Sequence, residues 1–329
     1  MRRRDFLLGL AASLFRSAWG EGNWRALKAY NRAENGVSLL VMQNGQTLLE
    51  DETEGSEPGY ELASGTKSFW GTLALVLKLN LDEPMGPVLT EWSGDSRGQI
   101  TVRQLLTLTS GLPGGSIGRP PTFAKALQVT QRFAAGTRFQ YGPAPYQCFG
   151  EYLRRKYQCD PLELLEKHVL RPAQVQYQDW KRGADGQIHL PSGARLNARN
   201  WAKFGLWVLG QQQALAECFK GTPANPAYGL TWWLNRPVDP SIALNMGKAM
   251  GQIAELGAEK SLPDIWMAAG AGDQRLYLIP SRNMLIVRQA DRILGRLLKG
   301  EGHYSDRDFL LLALRPAVTA SASPWPSRL

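Results

Sequence analysis

Tyr60-Glu61-Leu62-Ala63-Ser64-Gly65-Thr66-Lys67-Ser68-Phe69-Trp70-Gly71 is the stretch around which the rest of the chain organises. A serine and a lysine three residues apart on a helix share one face, so the Lys67 amine reaches the Ser64 hydroxyl. A serine hydroxyl is a poor nucleophile until a neighbour accepts its proton. Lysine does that only when burial or a nearby cation holds its pKa well below its usual value of about 10.4. Ser68 to Gly71 is mostly apolar, as a buried site requires. The helix N-terminus also offers backbone N–H groups to a developing oxyanion. Alone, the Ser-x-x-Lys spacing arises about once by chance in a chain of this length, and then reads as a capping serine beside a surface lysine.

The flanking sequence decides between these readings. Upstream, Val37 to Gln43 and Gln46 to Glu50 bracket Asn44-Gly45, the dipeptide best suited to a type I′ hairpin turn. Residues 24–33 read as a short helix carrying Trp24, Leu27 and Tyr30, and Glu52 to Gly59 as an acidic loop. Downstream, Lys67 to Leu79 reads as a helix apolar nearly all round, hence buried. Residues 81 to 225 read mainly as helices and loops. Thr101 caps one helix, and Pro161 to Val169 and Asn197 to Gly210 are others. Strands return at Tyr228 to Leu234, Asp273 to Ile279 and Met284 to Gln289, the last two joined by residues 280–283. Asp306 to Leu314 reads as a closing helix. The expectation is an α/β (α+β) fold, one antiparallel β-sheet built from both chain ends and flanked by helices. Residues 21–80 plus 226–320 form the sheet domain, 81–225 an inserted mainly α-helical domain, and 321–329 a tail.

The composition of the 329 residues, 43% hydrophobic and 20% charged, is that of a globular protein. Residues 1–20 contain Arg2, Arg3, Arg4 and Arg16 against Asp5 alone, and they account for part of the net charge of +9. No basic stripe interleaved with aromatics occurs, so the charge reads as a solvated surface and nucleic acid is not expected as a partner. The three histidines, His168, His189 and His303, are far apart and show no zinc spacing, and no metal or organic cofactor is implied. That scarcity of histidines also leaves Ser-His-Asp chemistry little footing. Cys148, Cys159 and Cys218 form no Cys-x-x-Cys pair and read as small buried residues, with a disulfide left open.

Residues 1–20 have signal-peptide anatomy: a charged start, an apolar run from Phe6 to Phe15, then small residues at Ala18 and Gly20. The run is too short to span a bilayer. Arg3-Arg4-Asp5-Phe6-Leu7 resembles a twin-arginine export signal, which implies a periplasmic or secreted protein with no stable membrane span in the mature chain.

Several segments, in order, resemble the serine β-lactamase and penicillin-binding-protein superfamily, in its class C-like branch of β-lactamases, D-aminopeptidases, family VIII esterases and aminohexanoate-oligomer hydrolases. They are the hairpin, Ser64-Gly65-Thr66-Lys67, Leu105 to Leu112, Thr137 to Pro143, Leu190 to Gly205 and Ala268 to Pro280. Leu108 stands where that family has a histidine in Leu-Leu-Thr-His-Thr-Ser-Gly-Leu. The resemblance implies that Ser64 is acylated and that Lys67 takes or shuttles its proton. Tyr141 matches the tyrosine that acts as phenolate or hydrogen-bond relay. The backbone N–H groups of Ser64 and Ala271 would form the oxyanion hole.

Two departures bear on substrate. Pro143 stands at the asparagine of the family's Tyr-x-Asn motif, and Ala268-Ala269-Gly270 stands where relatives have Lys-Thr-Gly or His-x-Gly. The groups that hold a penicillin's amide and carboxylate are therefore missing, which favours a small-molecule ester or simple amide as substrate. A β-lactamase or D-alanyl-D-alanine carboxypeptidase is the alternative, and a catalytically silent binding protein on the same fold is the second. Trp70, Tyr146, Trp232 and Trp233 are candidates to line an apolar pocket, half or more of them as core.

Overall fold

The Asn44-Gly45 turn has φ of 51° and 75° at its two central residues, the left-handed pair that a type I′ turn requires. It joins β1 (Gly36–Gln43) to β2 (Gln46–Glu52) with Gln43 opposite Gln46 and a bulge between Val41 and Met42. The computed structural model describes residues 21–53, 59–116, 118–239, 241–242, 255–291 and 303–314. The export signal expected at 1–20, most of the acidic loop and the 321–329 tail lie outside the described residues.

Tyr60–Glu61 is β3, Asp179–Trp180 is β4, Ala194–Leu196 is β5 and Trp233–Leu234 is β6. Trp266–Gly270 is β7, Gln274–Ile279 is β8 and Met284–Ala290 is β9. The main sheet has the order β2-β1-β9-β8-β7-β6, antiparallel throughout, and β3-β5-β4 form a small second sheet. Strands from the first and last parts of the chain thus pair directly at β1 and β9.

The helices include α1 (Glu21–Ala33), α2 (Ser68–Val76), α3 (Val102–Leu106), α4 (Phe123–Leu127), α5 (Ala144–Tyr157), α6 (Pro161–Leu165), α7 (Ala198–Gly210) and α8 (Asp306–Leu314). Thr101 and Gln104 make a reciprocal capping box on α3, and the Asn197 side chain caps α7. Helices cover both faces of the sheet. Gly205 of α7 sits against Leu276, Leu278 and Leu285, while the Tyr277 ring stacks on Phe309 of α8 at 5.8 Å. Alternate residues of β8 therefore serve opposite layers.

Two elements differ from the sequence expectation. The strand expected at Tyr228 to Leu234 is reduced to Trp233–Leu234, because Thr231 takes a left-handed conformation (φ 71°) that interrupts extension. The helix expected from Lys67 to Leu79 begins as a 3₁₀ turn and ends at Val76, where Lys78 at φ 53° and the Leu79 N–H to Ala74 C=O bond close it.

Gly71 on α2 lies against the chain at Leu230; a Cβ there would come within 2.4 Å of the Leu230 carbonyl oxygen. Helix propensity alone would make Gly71→Ala stabilising by roughly 1 kcal/mol. The close approach reverses that sign: we expect a loss of about 1–3 kcal/mol, measured as a lowered urea midpoint. A raised midpoint would show that the Leu230 segment yields freely.

Candidate active site

Ser64 lies in the 3₁₀ turn Ala63–Lys67 that runs directly into α2. With three residues per turn, positions i and i+3 eclipse, so the turn stacks Lys67 on Ser64 more closely than the expected α-helix would. The Lys67 Nζ is 2.9 Å from Ser64 Oγ. Ala63 precedes the serine at φ 45°, a costly conformation for a residue with a Cβ and one that persists only where the surroundings hold it. Several contacts do so. Leu62 N–H donates to Ala194 C=O at 3.0 Å, Ala194 N–H donates to Thr66 Oγ1 at 3.2 Å, and Lys67 Nζ donates to Pro191 C=O at 3.1 Å. From the other side, Trp201 of α7 packs so tightly that a Cβ on Gly65 would approach its ring to 2.8 Å.

Lys67 is 4% exposed. Its amine meets two neutral oxygens, Ser64 Oγ and Pro191 C=O, and the faces of Tyr141 and Tyr146 at 4.8 and 5.4 Å from the ring centroids. The ring faces favour the ammonium only weakly. Burial outweighs them and lowers the Lys67 pKa from 10.5 to about 7.

Tyr141 lies just before α5, and its phenol interacts with the Ser64 side chain. Its ring stacks on Trp233 at 5.7 Å and meets Tyr228 edge-on at 6.4 Å. Behind it, the Tyr146 and Tyr228 hydroxyls share a 2.8 Å hydrogen bond. Burial pushes the Tyr141 pKa up to about 12, against the opposing effects of the Ser64 hydrogen bond and the Arg275 charge. Tyr141 is therefore a neutral phenol near pH 7. Of the two roles the resemblance left open, this state fits the hydrogen-bond relay and leaves basicity to Lys67.

The far wall is the end of β7. A Cβ on Gly270 would lie 2.0 Å from the Leu62 carbonyl oxygen and 3.1 Å from the Gly65 nitrogen, so only glycine lets the strand run against the nucleophile turn. Ala271, expected from the resemblance to supply an oxyanion-hole amide, follows Gly270 directly in the chain. Ala268 shares a face with Gly270 and is buried, with no side chain long enough to reach a substrate. Pro143 is the N-cap of α5 and joins Ser64, Lys67, Tyr141 and Pro191 in lining a cleft of about 20 Å³, room for about one water. Of the aromatics considered from sequence, Trp233 and Tyr146 adjoin the site, while Trp232 packs on Phe204 and Phe219 in the core.

Sequence reading missed two participants. The Pro191 carbonyl leaves no trace in residue identity. Arg275 does leave one: an arginine inside the apolar strand Gln-Arg-Leu-Tyr-Leu-Ile must find an acid, and Asp306 opens the closing helix. A larger cleft of about 320 Å³ lies beside α4 and α5, but its lining holds no Ser, Cys or Lys, and Glu151, Arg154, Arg155 and Glu91 there pair with one another. Among the described residues no group of three His, Cys, Asp or Glu could hold a metal ion, and no helix is long and apolar enough to cross a membrane. All three cysteines are free, Cys148 and Cys218 fully buried.

Residues 24–290 match the family model described as Beta-lactamase. No curated protein matches the sequence. Similar solved structures include a class C beta lactamase from Rhodobacter sphaeroides (15% identity, 89% of this chain and 97% of that one, TM-score 0.63). EstCE1, a hydrolase with promiscuous acyltransferase activity, is another (14%, 89% and 95%, TM-score 0.63). A third is a D-stereospecific amidohydrolase from Streptomyces sp. (14%, 85% and 98%, TM-score 0.59). At these identities the likeness is one of fold.

The depressed Lys67 pKa has a consequence for stability. Between about pH 7 and 10.5 the unfolded chain holds a proton at Lys67 that the folded chain has lost, so stability rises with pH across that window. Lys67→Met removes the penalty. The variant should melt higher than wild type at pH 6 to 7, by an amount on the order of a few kcal/mol, and the gap should close by about pH 10.5. A gap that stays constant over that range would mean that Lys67 is not a buried, shifted amine.

Proposed function

The chain belongs to the Beta-lactamase family, a family of serine hydrolases, and on that basis we propose that it is an exported hydrolase that cleaves an ester or simple amide through an acyl-enzyme on Ser64. The observation that carries the reading is the 2.9 Å contact between Ser64 Oγ and a buried Lys67 whose pKa is lowered to about 7. A neutral amine at that distance is a general base for the serine.

In the acylation step Ser64 Oγ bonds to the substrate carbonyl carbon while Lys67 Nζ takes the hydroxyl proton. The carbonyl oxygen becomes an oxyanion facing the Ser64 and Ala271 amides. When the bond to the leaving group breaks, the proton on Lys67 passes through the Tyr141 hydroxyl to the departing alkoxide or amine. Water then repeats the sequence on the acyl carbon and restores Ser64. The chemistry needs no group beyond these side chains and backbone amides.

Pro143 and Ala268 support an ester or simple amide over a β-lactam. The family likeness alone would favour neither, but this cleft lacks an amide side chain at 143 and a cation or imidazole at 268. The cleft walls include Pro143, Pro191 and Gly142, and their lining holds no carboxylate, arginine or histidine. That fits a small, uncharged acyl group.

Purified protein should hydrolyse p-nitrophenyl butyrate and react with a fluorophosphonate probe, and Ser64→Ala should lose both, with turnover falling about 10³-fold or more. kcat/KM should rise with pH to a plateau with its midpoint near 7, as the Lys67 pKa requires. Absence of labelling at every pH from about 6 to 10 would sink the acyl-enzyme. Nitrocefin turnover faster than ester turnover would instead favour a β-lactamase.

Export rests on residues 1–20. Replacing Arg3 and Arg4 together with lysine should leave the protein in the cytoplasm of the expressing bacterium, read by cell fractionation. Unchanged export would refute the twin-arginine route.

A further inference from the structure

Ala268 gives the cleft side of β7 no cation or imidazole. The opposite face of the sheet carries a cation that no role so far accounts for. Arg275 is paired across from Ala269 on β8, is buried, and points away from Ser64 towards α8. Its Nε and Nη2 donate to the two carboxylate oxygens of Asp306, at 2.7 and 3.1 Å. Its Nη1 donates to the carbonyl of Gly270 at 2.8 Å and to that of Gln274 at 3.1 Å.

Resting on the acyl-enzyme reading above, we propose that Arg275 is a positioning residue: locked by Asp306, it holds the Gly270 carbonyl and thereby aims the Ala271 N–H at the carbonyl oxygen of the substrate. The argument is geometric. Gly270 C=O and Ala271 N–H belong to one trans peptide plane, and in such a plane they point in opposite directions. Fixing the carbonyl on the β8 side therefore fixes the N–H towards the other edge of β7. Among the described residues no strand pairs with that edge at this point, because β6 pairs only with Met267 and Trp266. The nucleophile turn packs on the face of β7 at this same residue, where a Cβ on Gly270 would meet Leu62 and Gly65.

A cation on the carbonyl does more than orient the peptide. It polarises the amide, which makes the N–H a stronger donor to an oxyanion. The same charge acts through the sheet on Tyr141, where it opposes the rise that burial imposes. Arg275 touches neither the cleft nor Ser64, so it works through the peptide it holds.

The rest of the network keeps the guanidinium in one place. Tyr277 donates its hydroxyl to Asp306 and shares a 2.6 Å hydrogen bond with Tyr304. Arg288, directly across from Arg275 on β9, stacks over the Tyr304 ring at 4.1 Å and donates to the Asp273 and Glu34 carbonyls. Asp273 adds a second carboxylate 3.7 Å from Arg275. Arginine suits this place because its planar fork reaches a carboxylate and a carbonyl at once, which the single ammonium of lysine does not.

The test uses Arg275→Gln and Arg275→Lys in the full chain, with melting curves to identify folded protein and activity expressed per active-site titre. Arg275→Gln should lower kcat for p-nitrophenyl butyrate about 100-fold with KM changed less than about threefold, because an aimed donor acts on the transition state. Arg275→Lys keeps the charge without the fork and should fall between wild type and Arg275→Gln. A purely structural role would lower the melting temperature and leave kcat per titrated site unchanged. Crystal structures of wild type and variant supply a readout independent of turnover: the Gly270–Ala271 peptide should rotate away from its wild-type direction. A folded variant with kcat within about twofold of wild type, or with that peptide unmoved, overturns the proposal. If Arg275→Gln does not fold, Arg275→Lys decides by the same criteria. If wild type turns over no ester, the hydrolase reading fails by itself and the peptide orientation still decides the role of Arg275.

Discussion

A primary amine that is 4% exposed, with no carboxylate against it among the described residues, loses the hydration that keeps lysine charged. That loss is the constraint on which the rest of the structure depends. It turns Lys67 from a cation into a base near neutral pH, and it exacts a stability cost that the surrounding packing has to offset. The packing is correspondingly dense. Phe69 and Trp70 are fully buried on α2, Phe69 meets Phe204 of α7 at 4.2 Å, and Trp180 closes edge-on over both Phe69 and Trp70. Around the reacting groups themselves, Tyr141 and Tyr146 face the amine, and Trp233 and Tyr228 pack on the Tyr141 ring. One environment therefore lowers one pKa and raises the other, which separates a base from a neutral proton relay.

The site draws on segments far apart in the chain, and backbone groups take part in each of the ties that hold it. The nucleophile turn is tied to residues 191–194 through Leu62, Thr66 and Lys67. The approach of β7 is set by Gly270, which leaves no room for a side chain against Leu62 and Gly65. Tyr141 is placed by a close crossing of Gly142 with Gly114, and the Gly114 carbonyl receives the first amide of α5. Rigid supports of this kind position reacting groups better than long side chains, whose rotamers must be frozen.

Much of this was legible from residue identity. Asn44-Gly45 set a hairpin turn because few other dipeptides accept two left-handed residues. Asp306 to Leu314 declared a helix through acidic residues in its first turn and an apolar stripe. Ser64 and Lys67 were found by spacing, and their contact follows from local geometry. Thr231 was not legible: a β-branched residue reads as strand, while its N–H bonds the Gly229 carbonyl and its hydroxyl accepts from Gly71 N–H on α2 in the left-handed form. The 3₁₀ form of the nucleophile turn was also hidden, because composition scarcely distinguishes it from an α-helix.

The sequence by itself determined which residues have the chemistry, a hydroxyl and an amine three positions apart, a motif tyrosine, and the absence of polar groups at 143 and 268. These are statements about local spacing and side-chain type, and they survive any packing. Tertiary structure alone decided which of those groups ionise and where the backbone points. The Lys67 amine is shifted because Tyr141, Tyr146 and Pro191, from two separate segments, close around it. Arg275 reaches the Gly270 peptide because β7, β8 and α8 bring residues 270, 275 and 306 together. Solvation and direction are properties of the whole fold, since each depends on atoms that the chain brings in from far along its length.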